Sequence, residues 1–162
     1  MTETDTADPT TAETPLIRAG EAFARTLRYS AQQIIDFARL SGDTNPLHLD
    51  DAAARQAGYD GIIASGQQSA TMMMGLVASH FSRADDGQAR DMLCLNFNFA
   101  FKAPIHADTD VELSWVVASV EFNPRLDGWI GQLNGHARCD GDTECVIARG
   151  TVLVKHPADD PA

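Results

Sequence analysis

The stretch "SGQQSATMMMGLVASHF", Ser65 to Phe81, decides the fold. It opens with the Ser-x-x-Gln spacing of a capping box, in which the Ser65 hydroxyl takes the backbone N–H three residues on. The run from Ala70 to Phe81 carries no charge, and a helix that is apolar nearly all round has to be buried. After it the period changes. Leu93, Leu95, Phe97, Phe99 and Phe101 alternate with Cys94, Asn96, Asn98 and Ala100, and Val111, Leu113, Trp115 and Val117 repeat the pattern. Alternation of this kind predicts strands with one apolar face. Two more strands are predicted, from Trp129 to Cys139 and from Cys145 to Lys155, around the turn Cys139-Asp140-Gly141-Asp142.

Upstream, Ala22 to Tyr29 reads as a strand with Phe23, Leu27 and Tyr29 on one side. Ser30 and Gln33 form another capping-box pattern before Ile34, Phe37, Ala38 and Leu40, and Gly42 stops that helix. Asp50 or Asp51 caps a short helix, Asp51 to Ala57, ended by Gly58. Strand, helices and then a series of antiparallel strands make an α+β class. One sheet can bury the long helix only by curling around it, which is the single hot-dog fold: a curved antiparallel sheet wrapped around a long central helix. Such a sheet covers one side of the helix, so a homodimer or higher homo-oligomer is expected to complete the burial.

The chain of 162 residues fits one domain with a real core. Residues 1–16, acidic and rich in Thr and Pro, read as a flexible tail, and residues 17–157 as the domain. Asp and Glu number 23 against 12 Lys and Arg, a net charge of −11. A phosphate backbone would be repelled, so nucleic acid is not an expected partner, and no apolar run suggests a membrane span. The start lacks the pattern of a secretory signal, and three cysteines (Cys94, Cys139, Cys145) without metal-ligand spacing suit a reducing cytoplasm. They are read as small core or strand residues.

The stretch "LSGDTNPLHLDD", Leu40 to Asp51, sets an acid, an amide, a proline and a histidine side by side. Gly42 and Pro46 exclude it from continuous helix, so Asp43 and His48 can point the same way. Residue types alone leave two readings open, an Asx turn with an interior histidine or an acid–base pair. Gly66 adds a third element. At the first position of the helix its N–H has no intrahelical partner and stands at the positive end of the macrodipole, which suits a thioester carbonyl whose charge grows as an enolate forms.

The segment "FARLSGDTNPLHLDDAAARQAGYDGIIASG", the apolar helix and the later "NFAFKAPI" together resemble the MaoC-like, (R)-specific enoyl-CoA hydratase family of hot-dog proteins. The resemblance covers nearly the whole folded part. It implies that the Asp-x4-His pair is catalytic at Asp43 and His48, with Asn45 and Pro46 as the spacer, and that the Gly66 amide binds the thioester oxygen beside Asn45 and Ser65. A supporting helix hydroxyl falls on Thr71. The implied reaction adds water reversibly to a trans-2-enoyl-CoA, giving an (R)-3-hydroxyacyl-CoA, with no cofactor beyond the coenzyme A of the substrate and no metal. There are departures. Ser65-Gly66 stands where many members have His-Gly, Gln67 and Gln68 replace bulkier apolar residues, and Ala107-Asp108 stands where Gly-Asp is common. These bear on the substrate rather than on the reaction.

Alternatives within the same reading are a hydratase for a branched or dicarboxylic enoyl-CoA, and a non-catalytic acyl-CoA-binding subunit; a thioesterase would leave the Asp-x4-His pair unexplained. Met72, Met73 and Met74 are expected in the core. His80, His106, His136 and His156 have no ligand-spaced partners, and Trp115 and Trp129 read as sheet packing. Lys102, Arg125, Arg138 and Arg149 are candidates for the CoA phosphates.

Overall fold

The computed structural model describes residues 15–157. The element order is β1 (Ala22–Arg28), α1 (Ala31–Ser41), a single 3-10 turn (Pro46–His48), α2 (Asp51–Gln56), α3 (Gly66–Phe81), β2 (Asp91–Phe101), β3 (Asp110–Asn123), β4 (Gly128–Cys139) and β5 (Thr143–Lys155). All five strands form one antiparallel sheet in the order β1-β3-β4-β5-β2. With α3 packed against this sheet the chain is an α+β hot-dog fold, as the change of period after Phe81 predicts. Of the tail expected over residues 1–16, all but Pro15 and Leu16 lies outside the described residues, and Leu16 is buried.

Local chemistry sets the element ends. Ser30 accepts the Gln33 N–H at 3.1 Å while the Gln33 side chain takes the Ser30 N–H at 2.9 Å, a complete capping box. Gly42, at φ 75°, ends α1 in the left-handed conformation. Asp50 caps α2 by accepting the Ala52 N–H at 2.8 Å and the Ala53 N–H at 3.2 Å. The box at the head of α3 forms only halfway: Ser65 Oγ accepts the Gln68 N–H at 3.2 Å, but Gln68 Oε1 is buried with no hydrogen-bond partner. The Gln68 side chain goes into the protein, not back over Ser65.

α3 meets the sheet through Met73, Leu76, Val77 and Phe81, all buried. Gln67, Thr71, Gly75 and Ser79 stay exposed. Lack of charge therefore overstated the burial expected all round; the four recur every fourth residue and mark the side that the sheet does not reach. The sheet leaves room for its rings with glycine. Trp115 stands opposite Gly135 on β4, where a Cβ would run into the indole, and its Nε1 donates to the Met73 carbonyl at 3.0 Å, tying sheet to helix. Cys139 and Cys145 are buried strand residues, as expected, and they are also joined. They pair as a disulfide across the β4–β5 turn, with Cα atoms 6.4 Å apart, because Asp140 and Gly141, both at positive φ, fold the chain back sharply. Cys94 is free and exposed.

Candidate active site

Asp43, His48 and the loop before α3 are held by short-range bonds. Asp43 Oδ1 accepts the Asn45 N–H at 3.0 Å, and Asn45 Oδ1 accepts the Leu47 N–H at 3.2 Å, two successive Asx turns. Pro46 opens the 3-10 turn that carries His48. The loop strand then docks on this bracket: the Ile63 N–H donates to the Leu47 carbonyl at 3.2 Å, and the Ala64 N–H to the Ile105 carbonyl at 2.8 Å.

His48 is 7% exposed, and its Nδ1 lies 2.7 Å from the Ile63 carbonyl oxygen. A carbonyl only accepts, so Nδ1 carries a hydrogen, and in the neutral ring Nε2 presents the lone pair. Nε2 faces Asp43 Oδ2 at 3.7 Å, with the Asp43 side chain 16% exposed. That gap exceeds a direct hydrogen bond and has the span that one bridging water closes. The turn reading and the acid–base reading are both satisfied, since Oδ1 makes the turn and Oδ2 faces the imidazole.

A cleft of about 380 Å³ opens beside His48 and reaches Gly66, Ser69, Tyr59, Phe101 and Lys102. Gly66 is the first residue of α3, and its amide makes no hydrogen bond among the described residues. The donor, the imidazole and the positive end of a 16-residue helix therefore meet at one wall. A proton acceptor, a neighbouring carboxylate with which it could share a water, and an unpaired N–H together suit the addition of water to a carbonyl-conjugated double bond.

The other sequence candidates sit elsewhere. Asn45 is exposed and shapes the turn, and Ser65, 1% exposed, works as the helix cap. Thr71 is exposed and does not border the cleft; the hydroxyl that does is Ser69, which donates to the Ser65 carbonyl at 3.3 Å. A helix hydroxyl near the site was expected, and the half-buried turn of α3 puts it two residues earlier. Among the four basic candidates, Lys102 borders the cleft. Nothing in the sequence marked Tyr59, Ser69 or Phe101 as a site residue, because they come from the loop after α2, from α3 and from the end of β2, which only the fold brings together.

Behind the cleft, the Tyr29 hydroxyl is buried without a hydrogen-bond partner, and burial pushes its phenol up to about 12. Ser69 lies close enough to oppose that shift slightly, but its hydrogen is committed to Ser65.

A hot-dog sheet and helix, with the imidazole of an acid–imidazole pair on the same cleft as a helix N-terminus, fit a hydratase/dehydratase class of protein. The chain belongs to the family described as MaoC like domain, which it matches over residues 10–121. It is similar, at 24% identity over 89% of this chain and 86% of the relative, to the mitochondrial 3-hydroxyacyl-[acyl-carrier-protein] dehydratase of Arabidopsis thaliana. Among solved structures it resembles the (R)-hydratase from A. caviae involved in PHA biosynthesis, with TM-score 0.71 and 25% identity, covering 87% of this chain and 98% of that one. The fold alone is shared with the HadBC (3R-hydroxyacyl-ACP dehydratase) complex of Mycobacterium tuberculosis, at TM-score 0.68 and 19% identity over 83% of this chain and 96% of that chain.

Proposed function

We propose that this protein hydrates a trans-2-enoyl-CoA to an (R)-3-hydroxyacyl-CoA and catalyses the reverse dehydration. The observation that carries the reading is His48: its Nδ1–H is anchored on the Ile63 carbonyl, which leaves Nε2 as a base 3.7 Å from Asp43. A water between Nε2 and Asp43 Oδ2 loses a proton as its oxygen bonds to Cβ. The π electrons move onto the thioester oxygen, which the Gly66 N–H stabilises. The enolate then collapses and Cα takes back the proton held by the pair, so the product is substrate plus one water.

The resemblance to an acyl-carrier-protein dehydratase supports a second reading, in which the thioester is carried by a protein. Lys102, the basic candidate that borders the cleft, supplies a cation for the phosphates of the small carrier. A second copy of the chain is the partner we infer for β2. That strand is a sheet edge with Leu93 at 52% and Leu95 at 47% exposure, an apolar edge that isolated proteins avoid.

The test is hydration of crotonyl-CoA against crotonyl-carrier protein, followed by loss of the enoyl thioester absorbance. Turnover of the CoA ester that is lost in His48→Ala supports the proposal. Turnover of the carrier-protein substrate alone would move the assignment to the second reading, and thiol release would indicate hydrolysis. Light scattering checks the dimer, and Leu95→Lys is expected to weaken it.

A further inference from the structure

A second cleft, of about 520 Å³, adjoins the one that His48 borders and does not itself reach His48. Its walls are α3 from Gly66 to Ala70 and β2 from Phe97 to Phe101. Gly66 and Phe101 border both clefts. A Cβ built on Gly66 would lie 3.0 to 3.2 Å from Cζ, Cε2 and Cε1 of Phe101, so the tip of the ring stands against the residue whose amide is unpaired. Within the single chain the ring is nonetheless 54% exposed, so little packing from its own chain fixes its rotamer. Beyond it the rings of Phe99 and Phe97 continue in near-parallel steps, with centroids 6.4 Å and then 6.2 Å apart.

We propose that Phe101 is a specificity-determining residue, a movable partition whose position sets the acyl-chain length this site accepts. With the ring tip against Gly66, the site offers the cleft of about 380 Å³ alone and fits a short enoyl arm. With the ring turned aside, that cleft joins the one of about 520 Å³, and a longer chain runs from Gly66 past Ala70 along Phe97 and Phe99. Ala70 keeps the helix side of this path low, and the aromatic faces give it an apolar wall. Each methylene buried there is worth roughly fourfold in affinity. The inference rests on the thioester being read at Gly66.

The experiment compares the wild type with Phe101→Ala, Phe101→Leu and Phe101→Trp. Calorimetric titration with the saturated esters butyryl-CoA and octanoyl-CoA reads binding without chemistry, and kcat/KM for crotonyl-CoA and 2-octenoyl-CoA reads turnover. The preference for the eight-carbon ester is expected to rise about tenfold in Phe101→Ala, less in Phe101→Leu, and to fall in Phe101→Trp. A merely structural role would not move the ratio in opposite directions. If Phe101→Ala does not fold, Phe101→Leu decides. Ratios within about twofold of the wild type in every folded variant overturn the partition. If the wild type binds both esters but hydrates neither enoyl ester, the hydratase reading fails and the binding ratios alone judge Phe101. If it binds neither ester, both fall.

Discussion

Replacing Asp43 by Asn separates the chemistry from the fold at a single atom. Asp43 Oδ1 accepts the Asn45 N–H at 3.0 Å, and an asparagine keeps that oxygen and the turn. Oδ2, 3.7 Å from His48 Nε2, becomes an NH2 group. It can no longer accept a hydrogen bond from the bridging water, and it offers a donor to the lone pair that would deprotonate that water. Removing one half of an acid–base pair costs about 10² to 10⁴ in rate, or roughly 3 to 5 kcal/mol of barrier at 1.36 kcal/mol per tenfold. The isosteric change at a retained hydrogen bond is expected to alter stability by no more than about 0.5 kcal/mol. The assay is crotonyl-CoA hydration at saturating substrate with a thermal melt of the same sample. A kcat within about threefold of the wild type would refute the role of Oδ2. A large drop in melting temperature with the lost rate would show that the side chain works chiefly as a brace.

Gly66→Ala places a methyl against the Phe101 ring at 3.0 to 3.2 Å. The exposed ring can turn away, so stability is expected to shift by less than about 1 kcal/mol, while hydration falls by roughly 10² as the amide is crowded; unchanged turnover would remove the amide from the mechanism. Tyr29→Phe deletes a buried hydroxyl with no partner, and urea unfolding is expected to show a gain of about 1 kcal/mol. A loss instead would mean that the hydroxyl is bonded. His80 donates from Nε2 to Glu21 at 2.7 Å and accepts at Nδ1 from Arg83 at 2.6 Å, an arrangement only the neutral ring can make. Its pKa is lowered below 6.5, chiefly by burial and also by Arg83 and Arg90, against the opposing hydrogen bond to Glu21. The unfolded chain therefore binds the proton more readily, so this contribution to stability is present above pH 6.5 and is lost as the pH falls below it. Melts from neutral to acid pH should show a shallower decline in His80→Gln; an identical decline would exclude His80 as its source.

Signals that act within a few residues were legible in the sequence. The Ser30 box, the Gly42 stop, the Asp50 cap and the bracket around Pro46 all use partners two to four positions away, and each forms where its residue types place it. The pairing of Asp43 with His48 was legible for the same reason. What the sequence hid is non-local. Which hydroxyl of α3 borders the cleft depends on how the helix is rotated on the sheet, and that rotation selects Ser69 over Thr71. The uncharged run in α3 could not reveal which side the sheet leaves open. The disulfide depends on the tightness of one turn, which cysteine counting does not register. Gly135 and Gly150 carry no special meaning in the sequence; in the fold they are the spaces into which the Trp115 and Phe97 rings fit.

The bond from His48 to the Ile63 carbonyl, with the bond from the Ile63 N–H to Leu47, ties the bracket to the loop that leads into Gly66. Everything assigned to bond making thus belongs to one continuous stretch of chain, from Asp43 to Gly66, and is cross-linked within itself. The surfaces that a substrate's tail would touch come from the first turns of α3 as far as Ala70 and, for the larger part, from segments around Phe97 to Ile105 and from Val146. On the proposed assignment, reactivity and most of the selectivity would be encoded in different parts of the gene. Drift in the second half can retune what is bound while leaving the proton-transfer geometry intact, and engineering of new substrate ranges should begin there.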